Sequence, residues 1–76
     1  MSYKKMVYFI NELERDDNGG YIPCIAVEGE CGYHKTDWNW GNDLELANKI
    51  AEEKNTNLGF TPKESFLIVL GTMRKV

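Results

Sequence analysis

Cys24, Cys31 and His34 are the side chains in this chain best suited to metal ligation or nucleophilic attack. A closed structural zinc site takes four ligands, usually as two short-spaced pairs, and the second pair is missing here. A Cys–His nucleophilic pair needs a third group to orient the base, and no spacing in the chain supplies one. Cysteine is also a common small core residue. Both thiols are therefore expected free and reduced, with no metal or other cofactor bound. Carboxylates occur as Asp16-Asp17, as Glu28 with Glu30, and as Glu52-Glu53. These positions suit turns and solvated helix surfaces better than an acid–base pair. Gly19-Gly20 lies in a turn between strands, not between a strand and a helix, so it is no phosphate loop. No serine sits in a nucleophile elbow. The chain is expected not to be an enzyme.

Aromatic and aliphatic side chains remain as the means of recognition. Tyr33, His34, Trp38 and Trp40 form one candidate protein-contact set, because tryptophan in a polar loop offers a large rigid contact area. Phe66, Leu67, Val69, Leu70 and Met73 form a second. If they lie on a helix it is apolar almost all round, and so small a domain has little interior to enclose it.

The elements that must position these groups can be read from local signals. Residues 5–13 are β-branched and aromatic on both parities, as in a strand covered on both faces. Asp16-Asp17-Asn18-Gly19-Gly20 is the strongest turn signal. Residues 21–27 read as the return strand, with Pro23 placing it at a sheet edge or turning its missing N–H away from a partner. A tight turn at Glu28-Gly29 leads to a third strand over 30–36. Asn42 is placed to cap a helix, with Glu45 as its reciprocal partner. Leu44, Ala47, Ile50, Ala51 and Leu58 then follow helical spacing, and Gly59 stops the run. Thr61-Pro62-Lys63-Glu64 opens a second helix, and Arg74 and Lys75 suit its negative end. The expected fold is α+β, a three-stranded antiparallel meander followed by two helices near 43–58 and 62–74, in a single domain over 1–76.

Length and charge bound the partners. At 76 residues, folding hides about 62% of the unfolded chain's surface and leaves a net stability of about 4–11 kcal/mol. Nine Lys and Arg against twelve Asp and Glu give a net charge of −3. The basic residues are scattered, which disfavours direct nucleic-acid binding. The longest apolar run, Phe66 to Leu70, is far short of the ~20 residues a membrane span needs, so no membrane association is expected. The charged start at Lys4-Lys5 is not followed by a signal-peptide apolar region, and a cytoplasmic location is expected. A protein partner, and a homodimer through the second helix, are the associations these features suggest.

Thr36-Asp37-Trp38-Asn39-Trp40-Gly41-Asn42-Asp43, then Ala47, Ala51 and Asn55, then Gly59 to Glu64 and Met73, carry a resemblance. Together they resemble small uncharacterised proteins of phages, prophages and conjugative elements of gut-type bacteria. Those share a W-x-W/F-G loop, a helix with alanines four apart, and a second helix opening with Gly-hydrophobic-Ser/Thr. The resemblance spans roughly residues 20–74. It implies a non-catalytic accessory protein of a mobile element, acting by stoichiometric protein binding, with inhibition of a host defence or nucleic-acid-handling enzyme as one role. It carries over no functional residue. Asp17, Asn18, Gly19, Gly20 and Tyr21, followed by a strand and by the helix opening at Gly41 to Ala47, are similar in layout to HicB-like antitoxins. The proline-rich approach to the third strand in those proteins has no counterpart here. That likeness implies the alternative of an antitoxin-like or small regulatory protein in nucleic-acid transactions.

Overall fold

The computed structural model of the chain describes residues 5–73. Five elements follow in order: β1 (Met6–Arg15), β2 (Tyr21–Val27), β3 (His34–Lys35), α1 (Leu44–Asn57) and α2 (Pro62–Met73). The strands form one antiparallel sheet in the order β1-β2-β3. The α+β meander followed by two helices is the fold expected from the sequence. Among the described residues, no helix is long and apolar enough to cross a membrane. Arg74 and Lys75, expected at the end of the second helix, lie outside the described residues.

The β1–β2 hairpin is held by its turn. Asp16 Oδ1 accepts from the backbone N–H of Asn18 at 3.0 Å and of Gly20 at 2.7 Å, and its other oxygen accepts from the Asn39 amide. Gly19 takes φ +83°, a region open to glycine at little cost. A Cβ at Gly20 would stand 2.7 Å from Asn39 Cγ, so only glycine lets the tryptophan loop close on the turn. Arg15 lies 4.5 Å over the Tyr21 ring and donates to Gly19 O at 3.0 Å. Between turn and sheet, β1 runs five steps from Ile10 to Arg15 while β2 runs two from Pro23 to Tyr21. The extra residues form a bulge, in which Asn11 Oδ1 accepts from Leu13 N at 3.0 Å.

Pro23 does not put its strand at an edge: β2 is the central strand. A strand residue's N–H and C=O point to the same side in an antiparallel ladder. The Pro23 carbonyl accepts from Thr36 N at 3.1 Å and Thr36 Oγ1 at 2.9 Å, so the missing N–H faces the third-strand side. β3 has ended at Lys35 by that point, and the ring is fully buried there. The third strand is also shorter than the expected 30–36. Gly29 and Gly32 both have positive φ, and Gly32 N donates to Thr72 O of α2 at 2.9 Å. That tie draws the chain away from β2 until His34.

The first helix is capped by Asp43, not Asn42. Asp43 is extended at φ −97°, ψ 110°, and its side chain accepts from Leu46 N at 3.2 Å. The helix ends as the sequence indicates. Gly59 has φ +94°, Gly59 N donates to Thr56 O and Phe60 N to Asn55 O, each at 2.9 Å, a Schellman closure. Of the expected apolar stripe, Ala47 and Ala51 are buried, Leu44 and Ile50 half-buried, and Leu58 exposed. The third buried residue of α1 is polar. Asn55 Oδ1 accepts from Tyr8 N at 2.8 Å, and Asn55 Nδ2 donates to Tyr8 O at 2.9 Å.

The core is small. Val7, Ala26 and Ile68 are buried together, with Phe9, Phe60 and Val69 packed against them. α2 thus covers the face of the sheet that carries Val7.

Removal of the Asn55 amide should be costly. Asn55→Ala leaves two backbone groups of Tyr8 unpaired and is expected to lose about 2–3 kcal/mol in urea unfolding. Asn55→Asp keeps an acceptor for Tyr8 N but sets a carboxylate oxygen against Tyr8 O, and should not rescue it. A loss no larger than that of the exposed control Asn57→Ala would refute the role given to this pair.

Asp16 generates a pH dependence. The Gly20 N–H is the largest influence on its carboxyl, desolvation opposes it, and Asn18, Asn39 and Arg15 add to it; the net effect lowers its pKa below the ordinary value. A depressed folded-state pKa stabilises the fold above the unfolded-state value, and that stability is lost as pH falls through the folded-state value. Asp16→Asn should therefore flatten the fall of the urea midpoint with pH in the acid range below about 4. An unchanged acid slope in the variant would remove Asp16 from the account.

Candidate interaction surface

The second helix is set by a reciprocal cap. Thr61 Oγ1 accepts from Glu64 N at 3.1 Å, and Glu64 Oε1 accepts from Thr61 N at 3.2 Å. Pro62 occupies the first helical position, where an N–H is not required. The five-residue apolar run that follows is thereby helical, not extended. Ser65, Ile68 and Thr72 face inward and are buried, and Val69 turns inward beside them against the core. Thr72 Oγ1 closes onto Val69 O at 2.8 Å, whereas the buried Ser65 Oγ has no hydrogen-bond partner.

The outer face keeps the rest of the run. Phe66 is 63% exposed, Leu67 54%, Leu70 45% and Met73 46%, so four large apolar side chains share one exposed stripe. Gly71, four residues after Leu67, extends that stripe with a flat place. Outside its own helix backbone, no atom stands within 4 Å of where a Cβ would be. Beside the stripe, between β1, α1 and α2, lies an apolar groove of about 490 Å³. Tyr8, Ile10, Ala51, Phe60 and Val69 contribute to its walls, and Phe66 and Met73 belong to both groove and stripe. The two features are therefore one continuous surface.

The aromatic set from the middle of the chain is not brought together. Tyr33 packs edge-on to Phe9 at 5.4 Å, donates to Glu14 Oε2 and accepts from Asn11 Nδ2, both at 3.1 Å. Burial first, then the hydrogen bond to Glu14, pushes its phenol pKa up, so it remains the donor. Trp40 packs on Tyr8 at 5.7 Å. Phe9 and Tyr8 are consecutive in a strand and project to opposite faces, so Tyr33 and Trp40 lie on opposite sides of the sheet. His34 is exposed and paired with Glu30 at 2.9 Å. Trp38 is 48% exposed and stands apart as a single aromatic.

The thiols are also separate in kind. Cys24 is buried in the central strand, and desolvation holds its thiol pKa up; Cys31 is exposed. Among the described residues, no three His, Cys, Asp or Glu side chains are grouped to hold a metal ion. Asn55 is a positioning residue that its type alone does not reveal, although it stands at i, i+4, i+8 with Ala47 and Ala51, the inner stripe of α1. Comparison with protein-family models, curated proteins and solved structures finds no match to this chain.

In the folded protein a thiol reagent should label Cys31 rapidly and Cys24 only on unfolding. Equal rates at the two positions, read by mass spectrometry of the digested protein, would contradict the burial of Cys24.

Proposed function

We propose that this chain is a non-catalytic interaction protein that acts by stoichiometric binding of a protein partner, in the manner of a phage or mobile-element accessory protein. The exposed stripe Phe66, Leu67, Leu70 and Met73, running into an apolar groove, carries this reading. The largest apolar patch on a small protein is often a functional one. Its convex and concave parts suit the packing of protein side chains.

Three of the cationic groups among the described residues support a protein partner over nucleic acid. Lys5 lies 3.9 Å from Glu64, Lys35 lies 3.6 Å from Glu14, and Arg15 is occupied by Tyr21 and Gly19. Phosphate binding would need such charges free and clustered. The proposed setting is the cytoplasm.

Immobilised wild-type protein should retain a host protein at a fixed molar ratio, and a folded Leu67→Asp/Leu70→Asp variant should not. Retention unchanged by the double substitution would overturn the assignment of this face. A DNA or RNA shift that weakens steeply with salt would instead favour the antitoxin-like alternative.

A further inference from the structure

We infer that the partner seated on the α2 stripe and its groove is an amphipathic helix of another protein, with a lysine or arginine on the side that meets Glu52. This rests on the reading of that face as an interaction surface, and it names the form and charge of what binds there.

Backbone geometry excludes a strand as the occupant. The groove is walled by β1, α1 and α2, and a peptide could extend the sheet there only along the open edge of β1. At that edge the Tyr8 N–H and C=O are both taken by the Asn55 side chain, at 2.8 and 2.9 Å. From Ile10 onward the strand bulges out of register. A helix satisfies its internal backbone groups itself and needs only apolar contact from this face.

The dimensions fit one helix. Along α2 the groove walls run from Pro62 to Met73, about 16 Å at the helical rise. Apolar side chains at i, i+4 and i+7 of a helix span about 10 Å, so three anchors fit within that length. Phe66, Leu67, Leu70 and Met73, each about half exposed, present roughly 300–400 Å². A standard interface between folded partners takes about 800 Å² from each. This face falls short of that size and matches a single docked segment.

Charge gives the helix a side. Glu52 is the one charged residue on the groove walls, and among the described residues it makes no ion pair. Asn48 and Thr56, one turn away on either side, complete that wall, and Lys49 is not part of it. Lys63 is exposed in line with Leu67 and Leu70, on the outer face of α2 and away from the groove. A helix laid over stripe and groove therefore meets an anion on its α1 side and a cation on the other. Lysine or arginine on the α1 side is attracted to Glu52, and an acid there is repelled.

Selection of a phage-displayed random-peptide library on the immobilised protein tests this. Enriched peptides should carry apolar residues at i, i+4 and i+7 with Lys or Arg beside them, and should gain helix on binding in circular dichroism. For a fluorescein-labelled member, Leu67→Asp should raise the dissociation constant about tenfold or more. Glu52→Lys should raise it about fivefold, and Glu in place of the peptide's cation should recover the loss. Glu52 is exposed, so this second variant decides the matter if Leu67→Asp does not fold. No enrichment, enriched peptides with apolar residues at alternate positions, or an affinity unchanged by Glu52→Lys overturns the inference. A wild-type dimer in sedimentation equilibrium that Leu67→Asp abolishes gives the face to a second copy and overturns it too. Host-protein retention lost in Leu67→Asp/Leu70→Asp while the selected peptides are extended would keep the proposed function and remove the helix. Retention unchanged in that variant while selected helices bind would do the reverse.

Discussion

Two hydrogen bonds between the Asn55 amide and the backbone of Tyr8 join elements 47 residues apart in sequence. Glu28 N donates to Lys5 O, so by alternation Val7 and Phe9 turn their backbone groups toward β2, and Tyr8 turns its own to the open edge. An edge strand leaves such a row of donors and acceptors unsatisfied. A primary amide is the side chain that presents one acceptor and one donor together, and so it completes the strand at this residue as another strand would. Asn55 also supplies the carbonyl that Phe60 N closes on at the end of α1. The same residue thus docks the first helix and sets the turn that delivers Phe60 to the core and starts α2.

Once α1 is placed, the size of the core limits what α2 can bury. The buried side chains facing it are small, with Val7 and Ala26 at its centre and Cys24 in the same strand. They accommodate Ile68 and the inner side of Val69. They cannot reach round to Phe66, Leu67, Leu70 and Met73. An apolar helix on so small a sheet is left half covered, because a domain of this length has a high ratio of surface to volume. The exposed stripe follows from packing geometry and does not require a poorly formed core.

The rest of the sheet edge is protected by other means. Past Ile10 the strand bulges, and the exposed Glu12 stands in that segment. Bulges and charges at an edge discourage unwanted strand pairing. Between the Asn55 amide and the bulge, little of the β1 edge remains for another strand to join. Helix packing is consequently the more accessible mode of association for this surface.

What was legible in the sequence was the set of features decided within a few residues. The Asp16–Gly20 turn, the Thr61–Glu64 capping box and the Gly59 stop each depend on hydrogen bonds of short span, and element types and order follow from them. The cap of α1 moved by one residue, from Asn42 to Asp43, because both residue types can cap and backbone direction chooses between them. Pro23 restricts its own N–H but does not determine which strands flank it, so only the sheet could place β2 at the centre. The tie from Gly32 to Thr72 shortened β3, and it exists only after α2 has docked. Helical spacing brought Asn55 into line with Ala47 and Ala51, but its partner is a backbone group far along the chain. The five apolar residues of α2 carry no mark of which are inner. Docking against Val7 and Ala26 decided that, and with it the surface left for a partner, since burial is a property of the assembled elements and not of the residues in order.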